Sequence, residues 1–373
     1  MAVRVNDKRS NDMSQAALPK MLYLPDTLVN WPWPRAINPH HEEVKAASNA
    51  WFHSFNAFNP KSQYAFDKCD FGLLAALAYP RASPEHLRTG CDLMNFFFLI
   101  DEYTDVEPAP VVREIAGIVI DAMTHPNKPR PEGETVVGEA ARQFWSLAVK
   151  SASAPAQKHM IEAFTDYLNS VVQQAIDRDS DTCNTVEEYL HKRRQNIGIR
   201  PSFVPIELGL NLTDDVFYHP VIDQLRLYVG DMVILDNDMA SYNKEQAMGD
   251  DRYNIITVVM RQFNTDFDGA NHWVTKYHDE LKANFLRTLT HVPSFGDQDK
   301  DAQVQMYLYG LANWPRCNVC WNFESGRYFG SKGLEFQETR MVPLLPKVEE
   351  DTKVGLCGEA VVIPLVDELA AAL

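Results

Sequence analysis

The sequence predicts an all-α fold, a helical bundle that encloses a central cavity. From Glu42 onward, apolar residues recur at helical spacing through most of the chain. No stretch shows the period-two alternation of a strand bounded by turn residues, and no internal repeat is visible. Apolar residues make up 45% of the 373 residues, enough to bury a sizeable core, and no low-complexity linker divides them. We therefore expect about ten or more helices in one domain.

The elements follow in chain order. Residues 1–20 are polar and mixed, and we expect a flexible segment there, before a helical domain over 21–342. Trp31-Pro32-Trp33-Pro34 predicts an extended stretch, because a residue before proline avoids the helical region, and the Trp rings should cover a core edge. The predicted helices lie at about 51–58, 66–77, 85–104, 111–122, 137–150, 155–178, 186–195, 203–210, 220–244, 255–264, 270–289 and 301–322. Residues 343–373, with three prolines, are expected to form a surface tail.

Charge and composition exclude several classes of function. The net charge of −16 and a pI near 5.1 argue against nucleic-acid binding, which needs basic patches. Residues 1–20 lack the apolar core of a signal peptide, and an apolar run such as Met94–Ile100 is far too short for membrane insertion. Six thinly spread cysteines argue against disulfides, and Cys317-x-x-Cys320 has no second pair to complete a zinc site. We expect a cytoplasmic protein, either a monomer or a homodimer.

The stretch from Asn237 to Glu245 carries the clearest chemical pattern. On a helix, Asn237, Ser241 and Glu245 are four residues apart and therefore share one face. Their carboxamide, hydroxyl and carboxylate oxygens are ligands suited to a hard divalent cation such as Mg²⁺. A mostly apolar run precedes them, and polar groups at the end of a buried helix are costly unless they are satisfied. The alternative interpretation is the solvated end of a core helix.

A second acidic stretch ends the predicted helix over 85–104. Asp101 and Asp105 share a helix face, Glu102 points about 100° away, and Phe98 and Met94 lie on the same face below the two aspartates. Alone, this pattern is also typical of an ordinary acidic helix end. Together, the two helices predict a cavity with an apolar floor and a metal-lined mouth. Since Mg²⁺ combines one or two carboxylates with phosphate oxygens, the predicted ligand is a diphosphate with an apolar tail.

These residues resemble the motifs of class I terpene synthases. Asp101-Glu102-x-x-Asp105 is similar to their aspartate-rich motif, with Glu102 where many relatives have aspartate. Asn237-Asp238-x-x-Ser241-x-x-x-Glu245 matches their second metal motif at every defining position. Ser325-Gly326-Arg327-Tyr328 is similar to their C-terminal Arg-Tyr pair. The resemblance spans about residues 40–330, and the Asp-Glu-x-x-Asp variant with the Trp-Pro region is typical of mushroom sesquiterpene synthases.

The resemblance implies a role for each residue. Asp101, Asp105, Asn237, Ser241 and Glu245 would hold about three Mg²⁺ ions, for which Mn²⁺ can substitute. Arg194, Lys244, Arg327 and Tyr328 would donate to diphosphate oxygens, a task for which the planar guanidinium of Arg is well suited. Phe98 and Trp321 would face a carbocation, because π faces stabilise positive charge. Gly198 would break a helix and bring a backbone carbonyl near that cation.

The function implied is that of a Mg²⁺-dependent sesquiterpene cyclase acting on farnesyl diphosphate, or on geranyl diphosphate. The likeness to mushroom enzymes favours 1,11-ring closure to a humulyl cation and a product such as protoilludene. Water capture would instead give a linear alcohol, nerolidol or linalool. A prenyl-elongating enzyme would show two Asp-rich motifs. A non-catalytic isoprenoid-diphosphate-binding protein disagrees with intact Asn237, Ser241 and Glu245, and a plain helical scaffold leaves the shared motifs unexplained.

Overall fold

Helices dominate the chain in the computed structural model, which describes residues 19–105, 107–179, 184–348 and 361–371. In these residues the α-helices are α1 (His41–His53), α2 (Pro60–Lys68), α3 (Phe71–Ala78), α4 (Pro84–Thr104), α5 (Ala109–Thr124), α6 (Val136–Ala148), α7 (Ala154–Asp179), α8 (Val186–Asn196), α9 (Ile199–Ser202), α10 (Asp214–Phe217), α11 (Pro220–Met248), α12 (Ile255–Phe263), α13 (Phe267–Leu289), α14 (Gln298–Glu324), α15 (Gly326–Phe329), α16 (Gly333–Thr339) and α17 (Val366–Ala370). Short 3₁₀ turns lie at Val204–Ile206, Asp251–Tyr253 and Gly330–Lys332. The predicted all-α class is confirmed.

Local sequence signals set the ends of the two central helices. Ser83 caps α4 by accepting the N–H of His86, and Pro84 occupies the first turn, where its missing N–H costs nothing. His219 caps α11 through the N–H of Val221, again with a proline following. Gly249 ends α11 in the left-handed conformation, with φ of 80°. Both helices therefore begin, and α11 also ends, where the sequence supplies capping residues.

The core surrounds α4 and α11. Helix α11 packs against α13 and α14, whereas α4 packs against α1, α3 and α6. The middle of α11 is buried nearly all round, from Val229 to Asp236, as is most of α4 up to Ile100. Burial on every side identifies α11 as a central helix rather than a surface one. The acidic ends of the two helices are thus held by rigid elements on two sides of the bundle.

A two-stranded antiparallel sheet was not predicted by the sequence. Strand β1 (Met21–Tyr23) pairs with β2 (Met341–Pro343), with Met21 opposite Pro343 and Tyr23 opposite Met341. The expectation of no strand is wrong here because three residues are too few to display a period-two pattern. The pairing ties the start of the described chain to the segment that follows α16.

The segment between β1 and α1 lies across the central helices. The Thr27 hydroxyl donates to Asp236 Oδ1 at 2.7 Å, and the Trp31 indole N–H donates to the Ala312 carbonyl at 3.0 Å. Trp31 and Trp33 pack together with Phe285, with ring centroids 5.0–6.0 Å apart. The two tryptophans therefore cover an edge of the core, as the sequence suggested. Residues 1–18 of the predicted flexible segment lie outside the described residues.

The C-terminal segment packs on the bundle in its described parts, residues 343–348 and 361–371. The Asn243 amide donates to the Pro343 carbonyl and its oxygen accepts the Leu345 N–H, both at 2.9 Å. Further on, Asp367 accepts the N–H and hydroxyl of Ser331. Leu345, Ile363 and Val366 are buried. Residues 349–360, 372 and 373 of the predicted tail lie outside the described part.

The prediction of a helix over 203–210 is wrong, because Pro205 interrupts the segment and only the 3₁₀ turn Val204–Ile206 forms. No described helix is both long and apolar enough to cross a membrane. Cys69, Cys91, Cys317 and Cys320 are buried free thiols, and the other two cysteines lie outside the described residues.

Candidate active site

The three predicted ligands on α11 lie along one face near its C-terminal end. Asn237 is half-buried, Ser241 is buried and Glu245 is half-buried. Between them, the buried Asp238 accepts hydrogen bonds from the Tyr189 hydroxyl and, at 2.9 Å, from the Ile255 N–H. These contacts anchor α11 to α8 and to the start of α12. The part of α11 that carries the ligand oxygens is therefore held in place by α8 and α12.

The ionised form of the Glu245 carboxyl is unfavourable in the folded protein when no cation is bound beside it. Burial, followed by the negative charge of Asp238, raises the pKa of Glu245 to about 7. A hydrogen bond from Asn254 at 2.9 Å opposes this shift. A half-buried carboxylate beside Asp238, in a row of oxygen ligands, is a group that a divalent cation would stabilise.

The opposite wall is the C-terminal end of α4. Asp101 has a side chain that is 38% exposed, and Asp105 is the exposed residue that ends the helix. Desolvation, and then the charges of Asp101 and Glu102, raise the pKa of Asp105 well above its usual range, although its side chain keeps contact with solvent. Glu102 does not point away from the site, as its helical position suggested, because its carboxylate lies 3.7 Å from Arg327 Nη1.

Helix α15 connects the two walls. Arg327 Nη2 lies 3.3 Å from Asp101 Oδ2, and Arg327 Nε donates to the Tyr328 hydroxyl at 3.4 Å. On the other side, Asn237 Nδ2 donates to the same Tyr328 oxygen at 2.9 Å. Both motifs thus meet the Arg-Tyr pair through hydrogen bonds, and the pair occupies the space between α4 and α11.

Lys244 adds a second positive charge to the same region. Burial, followed by the charge of Arg327, lowers the pKa of Lys244, and the nearby thiol of Cys69 and carboxyl of Glu102 partly restore it. A lysine and an arginine that repel one another in a buried site are stabilised by an anion between them. The two cations are therefore suited to a ligand such as diphosphate.

Arg194 is not placed where the sequence predicted. Its guanidinium forms a two-pronged ion pair with the buried Asp231, at 2.7 and 2.8 Å, away from the face that carries Asn237. The adjacent Arg193 instead donates to Asn237 Oδ1 at 3.0 Å and to Asp238 Oδ1 at 3.3 Å. Consecutive helix residues point about 100° apart, so the docking of α8 decides which arginine reaches the site.

Aromatic rings form the wall next to Arg327. Phe98 stacks on Phe71 with centroids 3.8 Å apart, and Arg327 lies 4.4 Å from the Phe98 ring centroid. Trp321 lies 5.9 Å from both rings but is only 1% exposed, and its N–H donates to the carbonyl of Cys69 at 2.8 Å. Phe98 is half-buried and therefore the more accessible of the two predicted aromatics. Sequence spacing had not singled out Phe71 for this wall.

Gly198 breaks the helix between α8 and α9, as predicted. It adopts φ of +75°, which residues with a side chain rarely do, and a Cβ there would lie 3.4 Å from Phe97. Its carbonyl oxygen accepts the Ser202 hydroxyl at 2.7 Å and the Ser202 N–H at 3.2 Å. Both lone pairs of the Gly198 oxygen are therefore engaged within the chain, and a backbone carbonyl near the cation stays a prediction.

The donor set fits a hard divalent cation. The predicted ligands offer only oxygen atoms, which Mg²⁺ and Mn²⁺ prefer over nitrogen or sulfur. Within the described ranges, no three His, Cys, Asp or Glu side chains converge on one point as a ready-made metal centre. The oxygens instead lie on two helices that are linked through Arg327 and Tyr328, so further oxygens from a bound ligand would be needed to complete coordination.

A family model and several relatives that match this chain agree with one another. The family described as "Terpene synthase family 2, C-terminal metal binding" matches residues 92–283. "Sesquiterpene synthase 14" of Postia placenta is 62% identical over 349 residues, 94% of this chain and 99% of the relative. "Delta(6)-protoilludene synthase 18" of the same fungus is 60% identical over 337 residues, 90% and 96% of the two chains. "Delta(6)-protoilludene synthase" of Armillaria gallica is 51% identical over 327 residues, 88% and 94%.

Solved structures resemble this fold at lower sequence identity. A structure of a-eudesmol synthase superposes with a TM-score of 0.72 at 20% identity, covering 80% of this chain and 99% of the other. A single-substitution variant of cucumene synthase gives a TM-score of 0.71 at 21% identity, covering 80% and 100%. These similarities show a common helical architecture.

Proposed function

This chain belongs to the terpene synthase family, and we propose that it is a Mg²⁺-dependent sesquiterpene cyclase that acts on farnesyl diphosphate. As a terpene synthase it is an enzyme, a carbon–oxygen lyase that acts on a diphosphate ester. The farnesyl chain is proposed from the names of the relatives, which are sesquiterpene and protoilludene synthases. Geranyl diphosphate remains the alternative substrate that the experiment below compares.

The metal site proposed here consists of two sets of oxygen ligands. Asp101 and Asp105 would hold Mg²⁺ on the α4 side, and Asn237, Ser241 and Glu245 on the α11 side. Bound Mg²⁺ supplies positive charge that makes the diphosphate a better leaving group. We expect about three ions, with Mn²⁺ able to substitute, because a diphosphate offers oxygens to both walls. The raised pKa values of Asp105 and Glu245 support the proposal, since desolvation and then neighbouring carboxylates disfavour their ionised forms.

The diphosphate is proposed to bind at the link between the two walls. Arg327, Tyr328 and Lys244 supply the donors, and Arg327 already spans from Asp101 toward Asn237 through Tyr328. We assign the fourth donor to Arg193 rather than Arg194, because Arg193 contacts the α11 ligand row while Arg194 is paired with Asp231. Arginine suits this role because its fork donates two hydrogen bonds to phosphate oxygens.

The reaction starts with heterolysis of the C–O bond. The electron pair leaves with the diphosphate oxygen, and the farnesyl chain is left as an allylic cation. We propose that the half-buried ring of Phe98, which contacts Arg327 in this structure, stabilises that cation through its π face. We propose that Trp321 completes the wall by holding Phe71 and Phe98, and that Gly198 contributes the helix break next to Phe97. We expect these aromatic rings also to exclude water, which would quench the cation.

Ring closure is proposed between C1 and C11, giving a humulyl cation and a product such as protoilludene. The names of relatives that are 50–60% identical over most of the chain support cyclisation over release of a linear alcohol. The single observation that carries the functional proposal is the chain of contacts from Asp101 through Arg327 and Tyr328 to Asn237, because it joins both metal motifs in one site.

The test is incubation of the purified protein with farnesyl or geranyl diphosphate and Mg²⁺, followed by gas chromatography and mass spectrometry. We expect a cyclic sesquiterpene from farnesyl diphosphate, formed only when metal is present. A sample with excess EDTA controls for spontaneous hydrolysis. If the folded protein releases no hydrocarbon or terpene alcohol from either substrate, the proposed function is wrong. A linear alcohol as main product would leave the lyase but refute cyclisation.

A further inference from the structure

A buried asparagine outside the metal motifs contacts two of the proposed ligands. Asn254 is 0% exposed and lies between the 3₁₀ turn Asp251–Tyr253 and α12. Its side-chain Nδ2 lies 2.9 Å from Glu245 Oε2 and 3.3 Å from Ser241 Oγ. The same nitrogen donates to the Asp238 carbonyl oxygen at 2.7 Å. One side chain thus reaches three positions on the face of α11 that carries the ligand row.

The other end of the Asn254 amide fixes its orientation. Its oxygen accepts the N–H of Ile256 at 2.9 Å and so caps α12. Since a backbone N–H needs an acceptor, the amide oxygen must face α12 and the NH₂ group must face α11. A carboxamide is the side chain that provides an acceptor and two donor hydrogens in this arrangement. Serine, threonine and aspartate cap helices equally well but lack the donor pair.

These contacts restrict the positions of the ligand oxygens. The hydrogen bond from Nδ2 holds Oε2 of Glu245, and the longer contact to Ser241 Oγ shares a hydrogen with one of the two shorter ones. The anchor is rigid because Asn254 is fully buried and its backbone N–H is bonded to the Asp251 carbonyl at 3.2 Å. Partners of this kind orient metal ligands, and their loss lowers metal affinity by roughly 10–100-fold in other sites.

We propose that Asn254 is a positioning residue for the divalent cation held by α11, acting by fixing the Glu245 carboxylate and the Ser241 hydroxyl. The inference rests on the proposed metal-dependent function and adds a residue that lies outside both metal motifs. The Asn254 side chain then has two separate roles. The amide oxygen of Asn254 stabilises the fold by capping α12, while its amide nitrogen holds the ligand oxygens in position for the metal ion.

The experiment uses Asn254→Ser, which keeps a helix-capping oxygen but removes the amide donors. Thermal unfolding is followed while Mg²⁺ is titrated in the presence of inorganic pyrophosphate, and turnover of farnesyl diphosphate is measured over the same Mg²⁺ range. We expect the half-saturating Mg²⁺ concentration to rise at least about tenfold in both measurements, with kcat restored at high Mg²⁺. The matched control is Asn59→Ser, which alters a capping asparagine on α2, a helix without proposed site residues. Its Mg²⁺ dependence should equal that of the wild type.

A second variant, Asn254→Thr, covers the case in which the serine variant fails to fold. Threonine also caps helices and suits the extended backbone of residue 254, with φ of −125° and ψ of 135°. The same tenfold shift is expected. A wild-type Mg²⁺ dependence in either folded variant, with only the melting temperature of the metal-free protein lowered, would reduce Asn254 to a helix cap and overturn the inference. If the wild type itself shows no response to Mg²⁺ and pyrophosphate, the proposed function fails together with this inference.

Discussion

Replacing Glu245 by glutamine should remove activity and at the same time stabilise the metal-free protein. The substitution keeps the size and shape of the side chain but removes the negative charge. In the folded protein, burial and then the charge of Asp238 raise the pKa of this carboxyl to about 7, from an ordinary 4.5. The ionised form is therefore disfavoured by folding unless a cation is bound. Glutamine avoids the cost of holding a negative charge at this position, and it also lacks the charge that would bind the metal ion.

The magnitude follows from the two pKa values. A difference from 4.5 to about 7 corresponds to up to about 3 kcal/mol at pH 8, since a tenfold change in proton affinity is about 1.4 kcal/mol. Because the folded-state pKa is raised, the stabilising contribution of the protonated group is complete below pH 4.5 and is lost as the pH rises through 7. Glu245→Gln should thus melt about 4 °C above the wild type at pH 8, with a gap of about 1 °C at pH 5.

The assay is thermal unfolding in EDTA at both pH values, combined with turnover of farnesyl diphosphate. Activity should fall by more than the roughly 10–100-fold that loss of an outer partner of a metal site costs, because a direct ligand is altered. The control is Glu280→Gln, an exposed carboxyl on α13, which should change neither stability nor turnover. The reasoning is refuted if Glu245→Gln melts no higher than the wild type at pH 8, or if its turnover is near that of the wild type.

Three further substitutions test separate parts of the site. Tyr328→Phe leaves the Asn237 amide without its acceptor, so the free energy of unfolding in urea should fall by about 1–3 kcal/mol. KM for farnesyl diphosphate should also rise. Unchanged values would argue against a contact between the two metal motifs through Tyr328. Trp321→Leu should cost about 2–5 kcal/mol and alter the product mixture in gas chromatography, whereas an unaltered mixture would leave Trp321 a packing residue. Both Arg193→Met and Arg194→Met should destabilise the protein, because each removes the ion pair of a buried aspartate, Asp238 or Asp231. Only Arg193→Met should also abolish the thermal shift caused by Mg²⁺ and pyrophosphate, and loss of that shift in Arg194→Met instead would restore Arg194 as the diphosphate donor.

The ligand rows were predictable because helical periodicity is a local property. Asn237, Ser241 and Glu245 share a face in any regular helix, and the apolar residues before them indicate a buried one. The same holds for Asp101 and Asp105 at the end of α4. Capping residues such as Ser83 and Gly249 also mark the ends of these helices in the sequence. The all-α class followed from the same periodicity.

Residues whose role depends on docking between helices were harder to predict. Arg193 and Arg194 are neighbours in the sequence, and only the rotation of α8 against α11 brings Arg193 to Asn237. Asn254 carried a local signal, since an asparagine before an apolar run is typical of a helix cap, but its donor contacts to Ser241 and Glu245 are tertiary. The Phe71 ring beside Phe98 belongs to the same group.

The central claim is that both acidic motifs bind one metal–diphosphate cluster. The most direct measurement is a crystal structure with Mn²⁺ and inorganic pyrophosphate, in which anomalous scattering locates the ions. We expect Mn²⁺ beside Asp101 and Asp105 and beside Asn237, Ser241 and Glu245, with pyrophosphate between them near Arg327. Ions bound at only one motif, or pyrophosphate bound elsewhere while the crystals contain folded protein, would contradict the account.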